Sequence, residues 1–426
     1  MPAPTRRAML AGAATLGLAA TARSQPSGPP LLVLAHRVHQ AVATGPQGDI
    51  TAAFTRETGV PVQWLTFDTA PLGDRLLREA SLSATSVDVG FLLNTQILPR
   101  VATLFEPIEP WMQRAPIEAP GDVFPSLLSG MQVGGVQIGL PFRHASSGLH
   151  YNEAILESRG ITQPPATIEE LADMARRCTF RRDDGTRATG LVMPGVTYPN
   201  VIDLARAWDG DFITPDYKCV ADQPPMLNAI RLLRELFLAG AFPRNFAAIA
   251  TEDITGWMQQ GRAAFALQSM SRSRLFNDPK GGSYAGRIRT VALPASETLQ
   301  GRYDVAPAKV EFWGMAIPRQ ASRKELSWTF MRAMLSSDAT LRAALNGNGP
   351  VRQATYEDAV FRAATPYAEE ERRVLRVARV PLPAFDEAPR AADLFREEAE
   401  SAVLGLKTSE DAMASLVRRV KPLLPG

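Results

Sequence analysis

The sequence predicts an α/β protein of more than one lobe, with helices packed over a parallel sheet. Three observations carry this. Short apolar runs that suit buried strands alternate with segments of helical period in the order β-α-β-α-β. The length, 426 residues, exceeds the roughly 250–300 residues that one apolar core holds, so two or three lobes are expected. The composition, 45% hydrophobic and 21% charged, is that of a globular chain rather than a disordered one. Gly and Pro follow no period, which excludes collagen-like and low-complexity chains.

The elements follow in order. Residues 1–25 read as a cleaved twin-arginine export signal. Arg6-Arg7 precedes an Ala- and Gly-rich apolar stretch, and Ala20-Thr21-Ala22 offers a small-x-small cleavage site before Arg23. That stretch is about ten residues, too short to span a bilayer. A periplasmic, freely soluble mature protein is therefore expected. Residues 31–35 (LLVLA) form a wholly apolar run, as in a buried first strand. A helix is expected at 46–58, with Ile50, Ala53 and Phe54 on one face and Thr58-Gly59 as its stop. A second strand follows at 60–65. A helix at 72–82 carries Leu72, Leu76, Leu77 and Ala80 in phase, and a third strand lies at 87–92. Thr167 with Glu170 three residues on reads as a capped helix start. Residues 226–239 are an amphipathic helix ended by Gly240. Strand character returns at 263–267, 290–293 and 312–318. An amphipathic helix follows at 324–335, and two more fill 391–420. In parallel sheets ligands gather at the carboxyl ends of strands, where His36, Arg37 and residues 91–94 fall.

The net charge excludes one class of partner. Lys and Arg number 46 against 44 Asp and Glu, a formal +2. Loss of Arg6 and Arg7 with the signal leaves a neutral chain, so no nucleic-acid partner is expected. Cys178 and Cys219 form neither a C-x-x-C pair nor a disulfide framework, and two free buried thiols are expected over a single bridge. Four histidines, with no H-E-x-x-H and no Cys cluster, argue against a metal site. No G-x-S-x-G, P-loop or dinucleotide fingerprint is present, so neither an enzyme nor a cofactor is expected.

Several blocks, in order, carry a resemblance. They are Phe54-Thr55-Arg56-Glu57-Thr58-Gly59-Val60-Pro61-Val62; Val87-Asp88-Val89; Gly139-Leu140-Pro141-Phe142 with Gly148-Leu149-His150-Tyr151-Asn152; and Pro164-Pro165-Ala166-Thr167-Ile168-Glu169-Glu170-Leu171. Gly261-Arg262-Ala263-Ala264-Phe265-Ala266, Trp313-Gly314-Met315-Ala316-Ile317-Pro318 and Gly349-Pro350-Val351-Arg352 continue the series. From about residue 31 to the end the chain resembles the extracellular solute-binding proteins of ABC importers, of the maltose-binding type. The resemblance implies the two-lobed periplasmic-binding-protein fold (type II), each lobe a central sheet flanked by helices, with the ligand cleft between them. Carried over by position, lobe one is 31–141 with 272–340, and lobe two is 142–271 with 341–426. The implied partners are a small-molecule solute and the permease subunits in the inner membrane, with the protein itself a monomer.

By position in the resemblance the ligand-binding candidates are His36, Arg37, Phe91, Asn94, Arg143, His144, Tyr198, Trp208, Asp209, Gln268, Ser271, Trp313, Asn348 and Arg352. Sugar sites need aromatic faces for the apolar side of a ring and planar polar groups for hydroxyls. Each candidate also has a plain structural reading: Trp208 and Trp313 serve a core equally well, and Arg352 a structural pair. Carbohydrate or polyol is the leading solute class. Arg37, Arg143 and His144 converging would instead favour an acidic solute. Where many sugar binders place an aromatic after the 263–267 strand, this chain has Met270-Ser271-Arg272-Ser273, which favours a small or polar solute over a stacked oligosaccharide. A secreted cofactor enzyme is the remaining alternative.

Overall fold

The computed structural model describes residues 28–299 and 301–425; the expected export signal at 1–25 lies outside the described residues. The opening third follows the expected alternation, with one addition. β1 (Leu31–His36) leads into a short helix α1 (Arg37–Ala43), then α2 (Ala52–Thr58), β2 (Val62–Phe67), α3 (Thr69–Ala80) and β3 (Val89–Leu93). α1 has little apolar period of its own. It starts there because the His36 ring accepts the Val38 amide at 3.2 Å and caps the helix. α2 ends where its stop signal lies: Gly59 is left-handed at φ 71 and donates to the Thr55 carbonyl at 2.9 Å.

The chain continues through β4 (Leu140–Asn152), α4 (Ile168–Arg177), β5 (Phe180–Arg181), β6 (Arg187–Val192), α5 (Tyr198–Arg206), α6 (Pro224–Leu238), β7 (Ala263–Ser269) and β8 (Ile288–Val291). It closes with β9 (Val310–Ala316), α7 (Lys324–Met334), α8 (Ser337–Leu345), α9 (Ala368–Val377), α10 (Ala388–Leu404) and α11 (Ser409–Val420). The Thr167 hydroxyl accepts the Glu170 amide at 3.1 Å and caps α4 as its motif implies.

The 13-residue β4 organises the molecule. The sheet order is β2-β1-β3-β9-β4-β7-β6-β5, with β8 also on β4. β1 pairs in parallel with β2 and β3. The first half of β4 pairs antiparallel with β9 (Val310 opposite Ser146, Trp313 opposite Arg143), and its second half lies between β7 and β8. One strand thus serves both halves of the sheet.

Two main apolar cores sit on the two halves. Val33, Phe91, Phe142, Phe312, Trp328, Tyr356 and Leu375 belong to the first. Leu149, Leu171, Leu191, Ile202, Leu233, Phe265, Phe395 and Leu416 belong to the second. Between them the chain crosses at 146–149, 305–309 and 378–385. These crossings differ from the expected boundary at 341: Ala343, Val351, Tyr356, Phe361 and Leu375 are buried in the first core. The apolar faces of α8 and α9 need a partner, and the β9 side of the sheet supplies it. Likewise Phe276 and Ile288 pack beside β7 residues Ala263 and Ala266 rather than in the first core. Cys178 and Cys219 are both free thiols, and burial pushes each up to about 11. Among the described residues no helix is long and apolar enough to cross a membrane.

Candidate functional site

Strand alternation defines one wall. Lys309, Glu311 and Trp313 share a face of β9, and Ala145 and Arg143 stand opposite Glu311 and Trp313 on β4. The His36 ring, at the carboxyl end of β1, lies 5.9 Å from the Trp313 ring. His39 fills the space beneath, stacked on Phe91 at 4.3 Å and edge-on to Trp313 at 5.1 Å. The electrostatics of this wall are positive. Burial lowers the His36 pKa first, Asp68 opposes this, and Arg143 and Arg37 lower it further. Arg143 is half-buried, makes no ion pair among the described residues, and its Nη1 has neither solvent nor a hydrogen-bond partner. Arg37 is exposed and pairs with Asp68 at 3.1 Å.

A polar compartment of about 580 Å³ opens where the crossing strands meet the second half. Ala145, Ser147, Lys309 and Glu311 form its floor; Thr197 and Asn200 from α5, Gln268 and Ser269 from β7, Arg272, and Arg396 and Glu400 from α10 form its sides. Several of these groups are already engaged. Lys309 pairs with Asp203 at 3.1 Å, Arg396 with Glu400 at 3.6 Å, and Arg272 with Glu252 at 3.8 Å. Two are not. Glu311 is half-buried with no hydrogen bond or ion pair among the described residues. Gln268 uses its Oε1 to accept the Ser269 amide at 3.2 Å, but its buried Nε2 has no partner.

A second compartment, about 610 Å³, has a different character. Asn94, Ile97, Leu98 and Val133 of the first half face Tyr217, Leu382, Pro383 and Ala388 of the second. α10 borders the two spaces. Ala388 and Ala392 line the apolar one, Arg396 and Glu400 the polar one, on successive turns whose four-residue steps each wind about 40° around the helix.

The candidates read from the sequence therefore separate. His36, Arg37, Trp313 and Arg143 come together on the first wall, and Gln268 lines the polar compartment. Ser271 sits beside it, its Oγ 2.9 Å from that of Ser269. Asn94 lines the apolar compartment, although its Oδ1 accepts the Phe312 amide at 3.2 Å. Tyr198 also reaches it, but the ring is buried against Phe212 and Phe395.

The other candidates are corrected by burial or distance. Phe91 has no exposed surface and holds His39. His144 is buried, 2.9 Å from the Tyr356 hydroxyl, and burial holds its pKa at about 3. Asn348 donates to the Phe142 carbonyl at 2.9 Å inside the first core. Arg352 is fully buried, donating to the carbonyls of Leu335 (2.7 Å) and Ala119 (3.2 Å) and pairing with Asp122. Trp208 donates to Glu169 at 3.2 Å in a separate surface groove. Asp209 pairs with Arg302 at 2.8 Å and with Arg379, again outside both compartments.

Glu311, Lys309, Arg272, Arg396 and Glu400 are the residues that sequence reasoning missed. For Glu311 and Lys309 a signal existed: once Trp313 is a candidate, period two marks both. Among the described residues no cluster of three or more His, Cys, Asp or Glu is placed to hold a metal.

Comparison with known proteins gives this cleft its family. Residues 49–368 match the pattern of the bacterial extracellular solute-binding protein family, and the chain belongs to it. A probable ABC transporter-binding protein of Deinococcus radiodurans is 24% identical over 251 residues; the match spans 57% of this chain and 58% of that protein. The sugar-binding protein MalE of Xanthomonas citri superposes with a TM-score of 0.78 at 19% identity, over 93% of this chain and 97% of that one. A solute-binding protein of Agrobacterium radiobacter K84, solved with ribitol, gives 0.74 at 19% identity, over 94% and 100%. The fold is thus the two-lobed binding-protein fold.

Proposed function

We propose that the protein is the non-catalytic capture component of an ABC importer: it binds a small carbohydrate or polyol between its lobes in the periplasm and hands it to the inner-membrane permease. The lobes are taken as the two main cores, moving about the three crossings, and the working form as a monomer exported by the twin-arginine route. One observation carries the reading. Glu311, whose carboxylate has no partner among the described residues, and Gln268, whose buried Nε2 has none, both line the polar compartment, and Glu311 lies two residues from Trp313 on β9. A shielded polar group without a partner costs about 1–3 kcal/mol. Solute hydroxyls would supply the partners, and the Trp313 ring an apolar face. A space of about 580 Å³ suits a solute of monosaccharide size. Lobe closure adds contacts only in the bound state, so the solute shifts the population and marks the protein for the permease. The ribitol complex of the Agrobacterium protein supports the polyol class. A melting screen of pentitols, hexitols, mono- and disaccharides and sugar acids tests it. A ligand at 100 times its Kd adds about 2.7 kcal/mol; no shift with any member would overturn the reading.

Arg143 favours a second reading, an acidic solute. A guanidinium with a shielded, unpartnered Nη1 and no carboxylate is costly, and a sugar acid would complete the pair. If so, Arg143→Ala weakens an aldonate far more than the matching polyol; equal losses on both would remove this reading.

A further inference from the structure

We propose that the solute is amphiphilic: a polyol or glycone seated in the polar compartment and bearing an alkyl or aryl group that fills the adjoining apolar one. This rests on the solute-capture reading above and narrows its ligand class. The contrast between the compartments is one of charge. Five charged side chains line the polar space: Arg272, Lys309, Glu311, Arg396 and Glu400. None of the residues lining the apolar space is charged. Proximity is the second observation: the two spaces share no lining residue, but successive turns of α10 border both, Ala388 and Ala392 the apolar one and Arg396 and Glu400 the polar one. A longer polyol would meet only neutral polar groups at that end, Asn94, Thr95, Ser129 and Gln132 among them, and none of the charged partners that hold hydroxyls most strongly. Collapse of the walls is opposed by their chemistry. Pro215, Pro381, Pro383 and Pro389 have ring-fixed backbones. Gly130 packs so closely on Phe312 that an added Cβ would lie 2.6 Å from its ring. A hydrocarbon group releases water from this surface and needs no polar partner.

The test uses calorimetry on the mature protein with matched probes: the methyl, phenyl and n-hexyl glycosides of a set of monosaccharides, and pentitols with and without a phenyl ether. For each head group that binds, the phenyl or hexyl member should bind roughly tenfold tighter or better. Val133→Asn and Leu382→Asn should each erase that advantage while the bare member keeps its affinity. If bare and substituted members bind alike, the proposal fails and the capture reading stands. Equal loss of both members in both variants would move the apolar group out of this compartment and overturn the assignment. If no probe binds in any form, the carbohydrate reading falls and the proposal with it.

Discussion

Glu311 and His144 show how one residue's surroundings decide its use. Glu311 faces a compartment and has no partner among the described residues, so its carboxylate is free for a solute. Glu311→Ala should weaken the bound polyol roughly 10- to 100-fold, as loss of a charged hydrogen-bond acceptor does; calorimetry with an unchanged melting curve checks it. His144 is the opposite case. It is buried, its Nε2 donates to Tyr356, whose hydroxyl donates to Glu371 at 2.8 Å, and Ser146 donates to the same carboxylate at 2.7 Å. Burial lowers the pKa of His144 to about 3 and of His150 to about 4. Both are neutral in the fold at pH values where the unfolded chain, near 6.5, already takes up protons. Stability is therefore full above pH 6.5 and falls as pH drops from there toward 4, by up to about 1.4 kcal/mol per pH unit for each histidine. Melting temperatures across pH 7.5 to 4 test this. His144→Gln, which keeps a donor for Tyr356, should flatten the slope; an unchanged slope would assign the loss to other groups.

At the level of elements, the opening β-α-β-α-β segment is legible because its strands are apolar runs and its helices carry strong period. Gly59 was readable as a stop signal, and its left-handed backbone makes the reading testable. Gly59→Ala should cost about 1 kcal/mol in urea unfolding and leave ligand affinity alone; no cost would mean that the helix end relaxes. α1 was not legible, since a side-chain cap from His36 and packing of His39 under Trp313 hold it, and neither is written in local period. The lobe assignment of α8 and α9 was misplaced for a similar reason. Their amphipathic faces say that they pack, but only the three-dimensional position of β9 says against what. The site divides the same way. Gln268 follows from its position near a strand end and Trp313 from the hinge region of the resemblance, whereas Arg396 and Glu400 come from a helix more than eighty residues further on, and no local pattern points there. Arg352 and Asn348 show the converse, since a polar side chain near a cleft reads as a ligand contact until carbonyls are seen to hold it.

For the whole molecule, the sidedness of β4 turns closure into a lever. Ala145 and Ser147 face the compartment, while Ser146 between them bonds to Glu371 on α9. α9 therefore lies behind the sheet. There Glu370 accepts the Ala292 amide at 3.0 Å and pairs with Arg373 at 3.2 Å, beside a cavity of about 480 Å³ between α9 and residues 164–166 and 291–305. Ala292 and α9 are both buried with the first core, so if closure by rotation about the crossing strands opens this back surface, the Glu370 contact opposes it only where residue 292 moves with the second half. In that case removing the contact destabilises the open form more than the closed one. Glu370→Ala should then tighten solute binding several-fold, since about 1 kcal/mol of bias toward the closed state appears directly in the affinity of a ligand that selects it. The same change should reduce the radius of gyration of the free protein in solution scattering toward its ligand-bound value. Weaker binding with an unchanged scattering profile would mean that Glu370 only holds residue 292 in place, and that the two lobes do not pivot between these surfaces.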